Sequence, residues 1–412
     1  MVDAPKHSRI AVMMRAMDQD SGHQSIIMGL VENMLREAPE TSFLLLYRTP
    51  KFFGRFSEYP NAEEKLIRAP HKFLWDQVAV PYYAWKENAS VIFNPKFSVP
   101  LVSHCPVVMG LHEPAWWTWP EHYEPFDRTY MKTMLPIYIK RSKHLFPISQ
   151  FVVDECRKYI RHPFDNTTVT YPAPRSYIRR VEDPAALQRA RAKYGLTEPF
   201  IFTLTRVDHP GLDNSRSFFP GKNVETTVRA FAQIRDEIPH ELVIGGRRVE
   251  EFLLHRGFKH QDFAKIRFMD FIPHDELPAF LTLADLFVLP SFYESFAMSL
   301  VEAMTCGCPT VVSRTGACPE ITAGAALMAD PYSWHDFAEK MRLVLKDDEL
   351  RAQLRSRALE RASFFDWSRS AKRVLDAIGQ VIEEARPPAS AAKSPTAARK
   401  SPSGPPAGTK RA

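Results

Sequence analysis

The chain has 412 residues, 45% hydrophobic and 25% charged, which suits two globular domains and excludes a collagen-like, wholly disordered or disulfide-built protein. Its net charge of +6 is a property of the last residues. Positions 386–412 hold six cations and no acid, so the other 48 of the 54 cations balance the 48 acids. A formally neutral body argues against a nucleic-acid-binding core.

In chain order, Arg9 to Met17 reads as an apolar first strand, followed by a polar loop to Gln24 and a periodic helix from Ser25 to Glu37. Phe43 to Tyr47 is a second strand, which completes a βαβ unit. The first turn carries one glycine, Gly22, and lacks the G-x-G-x-x-G of dinucleotide sites. Short strands are expected at 91–93 and 107–109, a helix over 129–141, and a strand from His144 to Ile148. Ser149 is the expected cap of a helix Gln150–Tyr159, and 168–171 is a further strand candidate. The aromatic cluster Trp116, Trp117 and Trp119, and the basic residues Lys140, Arg141 and Lys143, read by default as packing and as a solvated helix end. A membrane contact is the alternative at both, and lining an acceptor site is a further alternative for the tryptophans.

A second βα series starts at Phe200. Strands are expected at 200–205, 241–245, 266–271, 285–289, 309–312 and 326–329, with helices at 223–237, 274–283, 297–305 and 334–345. Helices over 348–364 and 367–384 close the folded part. Alternating strands and helices imply two parallel sheets covered on both faces, with a ligand cleft at the strand carboxyl ends. The remainder is rich in Pro, Ala, Ser and Lys and has too little apolar material to fold.

The segment 284–321 carries the chemistry. An apolar strand runs into Pro290 and Ser291, Glu294 stands before a helix, and Glu302 lies eight residues on. The amides of Ser295, Phe296 and Ala297 open that helix. Free N–H groups and the positive helix end suit an anionic leaving group, and paired carboxylates suit sugar hydroxyls. The segment resembles the E-x7-E region of retaining, nucleotide-sugar-dependent glycosyltransferases of the GT-B fold, family 4, also described as glycosyl transferases group 1. The continuation from Glu302 to Val311 and Pro319-Glu320 extend the match, and the resemblance spans most of 9–385.

The resemblance implies a GT-B α/β architecture of two Rossmann-like doubly wound domains facing a cleft. An acceptor domain would occupy 1–185 and a donor domain 186–366. A C-terminal helix, 367–385, would pack back on the first domain, and 386–412 would form a disordered basic tail. It implies that Arg206 and Lys222 hold the donor diphosphate, Glu302 the ribose, and Glu294 with the following amides the sugar hydroxyls. Gly22 would form the turn after the first strand, and His112, in His112-Glu113, would lie near the donor sugar and acceptor. Preorganised cations can meet the charge of a leaving diphosphate without a metal, and no cofactor is expected. The nucleotide sugar is a substrate. The expected acceptor is a glycan or lipid-linked saccharide of surface polysaccharide or lipopolysaccharide synthesis, with a weak lean to mannose as the sugar moved. The expected location is the cytoplasm, with peripheral contact on the inner membrane face left open. Another nucleotide-sugar enzyme on the same fold, epimerase-like or phosphorylase-like, and a non-catalytic scaffold remain as alternatives.

Overall fold

A computed structural model describes residues 8–18, 22–120, 123–207 and 220–386. The basic tail from 387 onward, weighed above, and the loop 208–219 lie outside the described residues. The first half contains β1 (Arg9–Met13), α1 (Gly22–Glu37), β2 (Ser42–Tyr47) and β3 (Ala62–Leu66). A continuous helical segment follows: α2 (Lys72–Leu74), a π-helical turn Trp75–Ala79, and α3 (Val80–Lys86). Then come β4 (Val91–Asn94), β5 (Val107–Leu111), α4 (Ala115–Thr118), α5 (Pro125–Arg141), β6 (His144–Pro147) and α6 (Gln150–Tyr159). The second half contains α7 (Pro184–Tyr194), β7 (Phe200–Leu204), α8 (Val224–Ile234), β8 (Glu241–Gly245), α9 (Val249–His255) and β9 (Ile266–Met269). It continues with α10 (Leu277–Leu283), β10 (Leu286–Leu289), α11 (Met298–Thr305), β11 (Thr310–Ser313), α12 (Cys318–Thr322) and β12 (Leu327–Ala329), and ends with α13 (Trp334–Lys346), α14 (Asp348–Ala362) and α15 (Trp367–Glu384).

The strands form two six-stranded sheets, ordered β3-β2-β1-β4-β5-β6 and β12-β11-β10-β7-β8-β9. Every strand pairing within them is parallel. The two orders are the same doubly wound pattern read from opposite ends. Each reverses direction once, between β1 and β4 and between β7 and β10, which are the switch points where such sheets open a crevice. Central strands such as β4, β5, β10 and β11 are buried along their whole length, as parallel strands covered on both faces must be.

Several expectations need correction. The first strand ends at Met13, and a 3-10 turn, Met14–Asp18, takes over. Residues 168–171 form no strand; residues 166–170 meet β6 through one isolated bridge, Leu145 to Thr167, three backbone hydrogen bonds and a contact of the His144 ring with the Thr168 hydroxyl. Strand β3 was not foreseen because AEEKL has no apolar alternation. It is an edge strand whose charges are used sideways, in contacts of Glu63 with Arg9, Lys65 with Glu87, and Glu64 with the Tyr47 hydroxyl.

The long-range contacts of α15 are made with the first sheet's layer. Its buried residues Val374, Ile378 and Val381 share a core with β1, β2 and α1. Gly29 makes this crossing possible. A Cβ at this position would sit 2.5 Å from the Trp367 indole, whose Nε1 donates to the Pro174 carbonyl at 3.0 Å. The chain thus passes from the first unit to the second and returns.

Candidate active site

The carboxyl ends of β7 and β10 lie side by side at the second switch point. After β7 come Thr205, Arg206 and Val207; after β10 come Pro290, Ser291 and the loop to Glu294. Lys222 enters from the start of α8. Asn223, in a left-handed conformation (φ 48°), fixes this position by donating from its amide to the carbonyls of Pro290 and Pro331, both at 2.9 Å. The Lys222 ammonium donates to the Glu294 carboxylate at 2.6 Å, and the Ser291 hydroxyl donates to the same oxygen at 2.7 Å. The Glu294 backbone is held in turn by the Gly316–Ala317 turn. The Ala317 amide donates to the Glu294 carbonyl at 2.8 Å, and Gly316 (φ +62°) leaves no room for a Cβ, which would lie 2.6 Å from that carbonyl oxygen.

Glu302 lies inside α11 and lines a cleft of about 690 Å³ together with Arg206, Arg175, Arg247, Asp270 and the glycine pair Gly245-Gly246. Gln24 and Ser25 of α1 close it from the first unit, so this cleft lies between the two halves. Burial pushes the Glu302 carboxyl up to about 7, against the opposing pull of Arg175 and Lys222. Arg206 also lines the neighbouring pocket with Lys222, Asn223, Arg256 and Phe292. Three of the expected donor residues, Arg206, Lys222 and Glu302, therefore meet around joined cavities, with Glu294 held on Lys222.

The turn Ser295–Ala297 behaves differently from its side chains. The backbone turns into α11 through Ala297 in a left-handed conformation (φ 67°). The Phe296 ring is buried between Tyr171 and Phe365 and cannot touch a ligand. The Ser295 carbonyl accepts from the Ser149 hydroxyl of the first unit at 2.6 Å. Ser149 is the expected cap of α6, its oxygen accepting from the Val152 amide at 3.2 Å. Gly22 is the first residue of α1.

His112 stands at the end of β5 and is buried. Its Nε2 lies 2.7 Å from the Pro95 carbonyl, which can only accept, so Nε2 carries the proton and Nδ1 the lone pair. Nδ1 has no hydrogen-bond partner among the described residues. Burial and Lys96 push this imidazole down to about 3, so it stays neutral, donating from Nε2 and keeping an unprotonated Nδ1. It lines a small void with Gly110 and Trp367 rather than the large cleft. The next residue, Glu113, reaches the open side. It lines a cavity of about 320 Å³ in the first unit with Lys96, Trp116, Tyr123 and Tyr130. Its carboxyl is pushed up by burial and by Glu294 across the cleft, with Lys96 pulling the other way.

Sequence reading missed Arg175, Lys96 and Arg247, none of which stands in a recognisable spacing. It quoted Glu113 and Glu320 only as parts of motifs. The structure gives Glu320 a task. From α12 its carboxylate accepts from the α6 amides of Gln150 and Phe151 at 2.7 and 2.8 Å, and from the Tyr171 hydroxyl at 2.7 Å. A charged acceptor on the N-terminus of a helix from the other unit is a latch across the cleft. Glu320→Ala is expected to remove about 1–2 kcal/mol of this closure, on the scale of a lost helix cap. Small-angle scattering of the unliganded protein would then give a larger radius of gyration; an unchanged radius would show that the latch does not hold the halves together.

The description "Glycosyl transferases group 1" matches residues 214–361, the region that contains Lys222, Glu294, Glu302 and Glu320. The chain has the GT-B fold, and its residues 214–361 match the group 1 glycosyltransferases. The enzyme is 29% identical over 280 residues to the O-antigen chain mannosyltransferase B of Escherichia coli, a match covering 66% of this chain and 69% of that protein. It is 25% identical over 257 residues to the serotype-specific mannosyltransferase WbdA of Escherichia coli, covering 60% of this chain but only 30% of that longer protein. Among solved structures, Anabaena HepE in complex with UDP and glucose superposes with a TM-score of 0.68 at 17% identity, covering 91% of this chain and all of that one. WaaG, a glycosyltransferase of lipopolysaccharide biosynthesis, superposes with a TM-score of 0.63 at 15% identity, covering 90% and 99%. At these identities the superpositions establish the fold.

Proposed function

We propose that this enzyme is a retaining, metal-independent glycosyltransferase of family 4 that moves a hexose, mannose by the names of its relatives, from a nucleotide sugar to a saccharide hydroxyl in surface polysaccharide or lipopolysaccharide synthesis. It would act in the cytoplasm, at the inner face of the membrane. The observation that carries the reading is the Lys222–Glu294 pair beside Arg206 at the second switch point, with Glu302 in the same cleft. The diphosphate would lie against Arg206 and Lys222, and Glu302 would accept from the ribose hydroxyls. Glu294, released from Lys222 as the diphosphate takes that cation, would accept from the sugar hydroxyls.

In the reaction the acceptor oxygen bonds to the anomeric carbon on the face from which the diphosphate leaves. The carbon–phosphate-oxygen bond breaks, and a phosphate oxygen takes the acceptor's proton. Charge grows on the leaving diphosphate in the transition state, so fixed cations lower the barrier more than they tighten ground-state binding.

The cavity in the first unit supports a saccharide acceptor. Its three cations (Arg15, Lys72 and Lys96) are matched by three acids (Asp76, Glu113 and Asp127), and the rings of Phe97, Trp116, Tyr123 and Tyr130 line it. A charge-balanced, aromatic-walled, polar cavity fits an uncharged sugar better than a phosphate. The test is a donor panel containing GDP-mannose, GDP-fucose, UDP-glucose and UDP-galactose, read by thermal shift and then by transfer to a mannoside acceptor. GDP-mannose is expected to raise the melting temperature most and to be transferred with the anomeric configuration kept, equally fast with or without chelator. Failure of every donor to bind would overturn the reading, and an inverted product would overturn its stereochemistry.

A further inference from the structure

A surface helix of a globular protein buries one stripe and turns a polar side to water. The segment 72–86 breaks this pattern. Its inner side is well made: Trp75, Val80 and Ala84 are fully buried, and Asp76 is held by a two-pronged pair with Arg15 at 2.9 Å. Its outer side is also apolar. Leu74, Val78, Tyr82 and Trp85 recur at helical spacing and are 44%, 58%, 51% and 60% exposed.

Two other segments extend this surface. Gln77 ties the segment to the next loop, its amide donating to the Val99 carbonyl at 3.0 Å and its oxygen accepting from the Leu101 amide at 2.9 Å. The tip of that loop, Val102, is 81% exposed. Arg141 at the end of α5 donates to the Leu101 carbonyl at 2.8 Å and the Ser103 hydroxyl at 3.1 Å, which brings Ile137, one turn earlier and 42% exposed, to the same side. Six large apolar side chains from three segments thus share a face that no other part of the described chain covers. Lys72, Lys86, Lys140 and Lys143 stand exposed around it. The acids of these helical turns are already engaged: Asp76 is buried with Arg15, and Glu87 pairs with Lys65.

We infer that this face docks on a lipid bilayer surface with anionic headgroups. An apolar, aromatic-bearing centre ringed by lysines matches the acyl boundary under a layer of negative headgroups. A second copy of the chain fits worse, because a two-fold contact would set each ring of lysines against its own image. The placement deepens the function proposed above and rests on it. Lys72 and Asp76 line the saccharide cavity from the same helical segment, so docking brings that cavity beside the leaflet that would carry a lipid-linked acceptor.

The test uses the full chain, basic tail included. Co-sedimentation is measured with vesicles of phosphatidylcholine containing 30% phosphatidylglycerol and with pure phosphatidylcholine. The wild type is expected to sediment with the anionic vesicles. The triple variant Val78→Ser, Tyr82→Ser, Trp85→Ser is expected to lose at least tenfold in partitioning while its turnover of a soluble saccharide acceptor stays within twofold. The separate pair Val102→Ser, Ile137→Ser, on other segments, is expected to weaken sedimentation in the same direction and guards against a folding defect in the triple variant. Equal sedimentation of wild type and both variants would assign membrane binding to the tail and overturn the inference. So would a wild type that stays in solution, or a concentration-dependent dimer that the triple variant abolishes. Failure of soluble turnover in the wild type would count against the proposed function instead, and vesicle binding would be judged separately.

Discussion

Lys222→Ala is expected to lower kcat for transfer by about 10²- to 10³-fold, the scale seen when one preorganised group facing transition-state charge is removed. Donor KM should change much less. The resting structure already offers Lys222 an anion, Glu294 at 2.6 Å, so the incoming diphosphate has to exchange one partner for another. Ground-state binding gains little from such an exchange. As the glycosidic bond breaks, the diphosphate becomes more negative and the interaction with the ammonium strengthens, so its value falls mainly on kcat. A loss confined to KM, or kcat within threefold of wild type, would remove Lys222 from the chemistry. Glu294→Gln is the partner experiment. It frees the ammonium from a carboxylate yet keeps a hydrogen-bonding side chain beside Ser291, so a loss of kcat here reports contacts to the sugar.

Glu302→Gln is expected to make the unliganded enzyme more stable at alkaline pH and worse at binding its donor. The buried Glu302 carboxyl is pushed up to about 7, above its usual range, because burial outweighs the attraction of Arg175 and Lys222. A raised carboxyl favours the protonated form in the fold. That contribution is complete below the unfolded value near about 4.3, and is lost as pH climbs through about 7. At pH 8.5 the ionised side chain therefore costs on the order of 3 kcal/mol, which an uncharged amide avoids. Denaturant titrations of the wild type should show stability falling from pH 5 to pH 8.5, and the Gln variant should flatten this slope. A ribose diol needs the ionised acceptor, so wild-type donor affinity should fall as pH drops below about 7. In the variant the donor dissociation constant should rise by roughly ten- to a hundredfold, the value of one to two hydrogen bonds to a charged group. Identical pH slopes in the two proteins would show that Glu302 is not the buried titrating group.

Much of this site was legible from local pattern. Glu294, Glu302 and the helix that contains Glu302 sit in a strand–loop–helix–Gly–Pro–strand run whose signals are all near neighbours in sequence: an apolar run, Gly307 at a helix end, Pro309 before a strand. Arg206 stands two positions past Leu204, the end of β7, and its role was implied by the family resemblance. Lys222 is separated from that strand by the loop 208–219, and its place was carried by the resemblance alone. His112 was singled out by the resemblance of His112-Glu113 to an element of that family. The structure buries it and turns Glu113 toward the cavity instead. Alternation along an extended chain gives neighbouring residues opposite sides, and a single sequence does not say which side is the ligand's.

By itself the sequence determined the two βα series, the cap at Ser149 and the helix over 367–384, because strands, helix starts and turns follow from apolar period and from a few residues with fixed backbone preferences. It also placed the whole charge excess in the tail. The tertiary structure decided the remainder, because those features are sums over distance. The meeting of Arg175 with Glu302, of Glu320 with the amides of α6, and of Lys96 with Glu113 joins residues far apart in the chain. The buried carboxyl of Glu302 owes its shift to desolvation by the whole surrounding cleft. No element or role was read for 72–86 from the sequence. Only packing shows that Trp75, Val80 and Ala84 fill the inside and leave Leu74, Val78, Tyr82 and Trp85 facing out, because a helix has one side more than a sheet can cover.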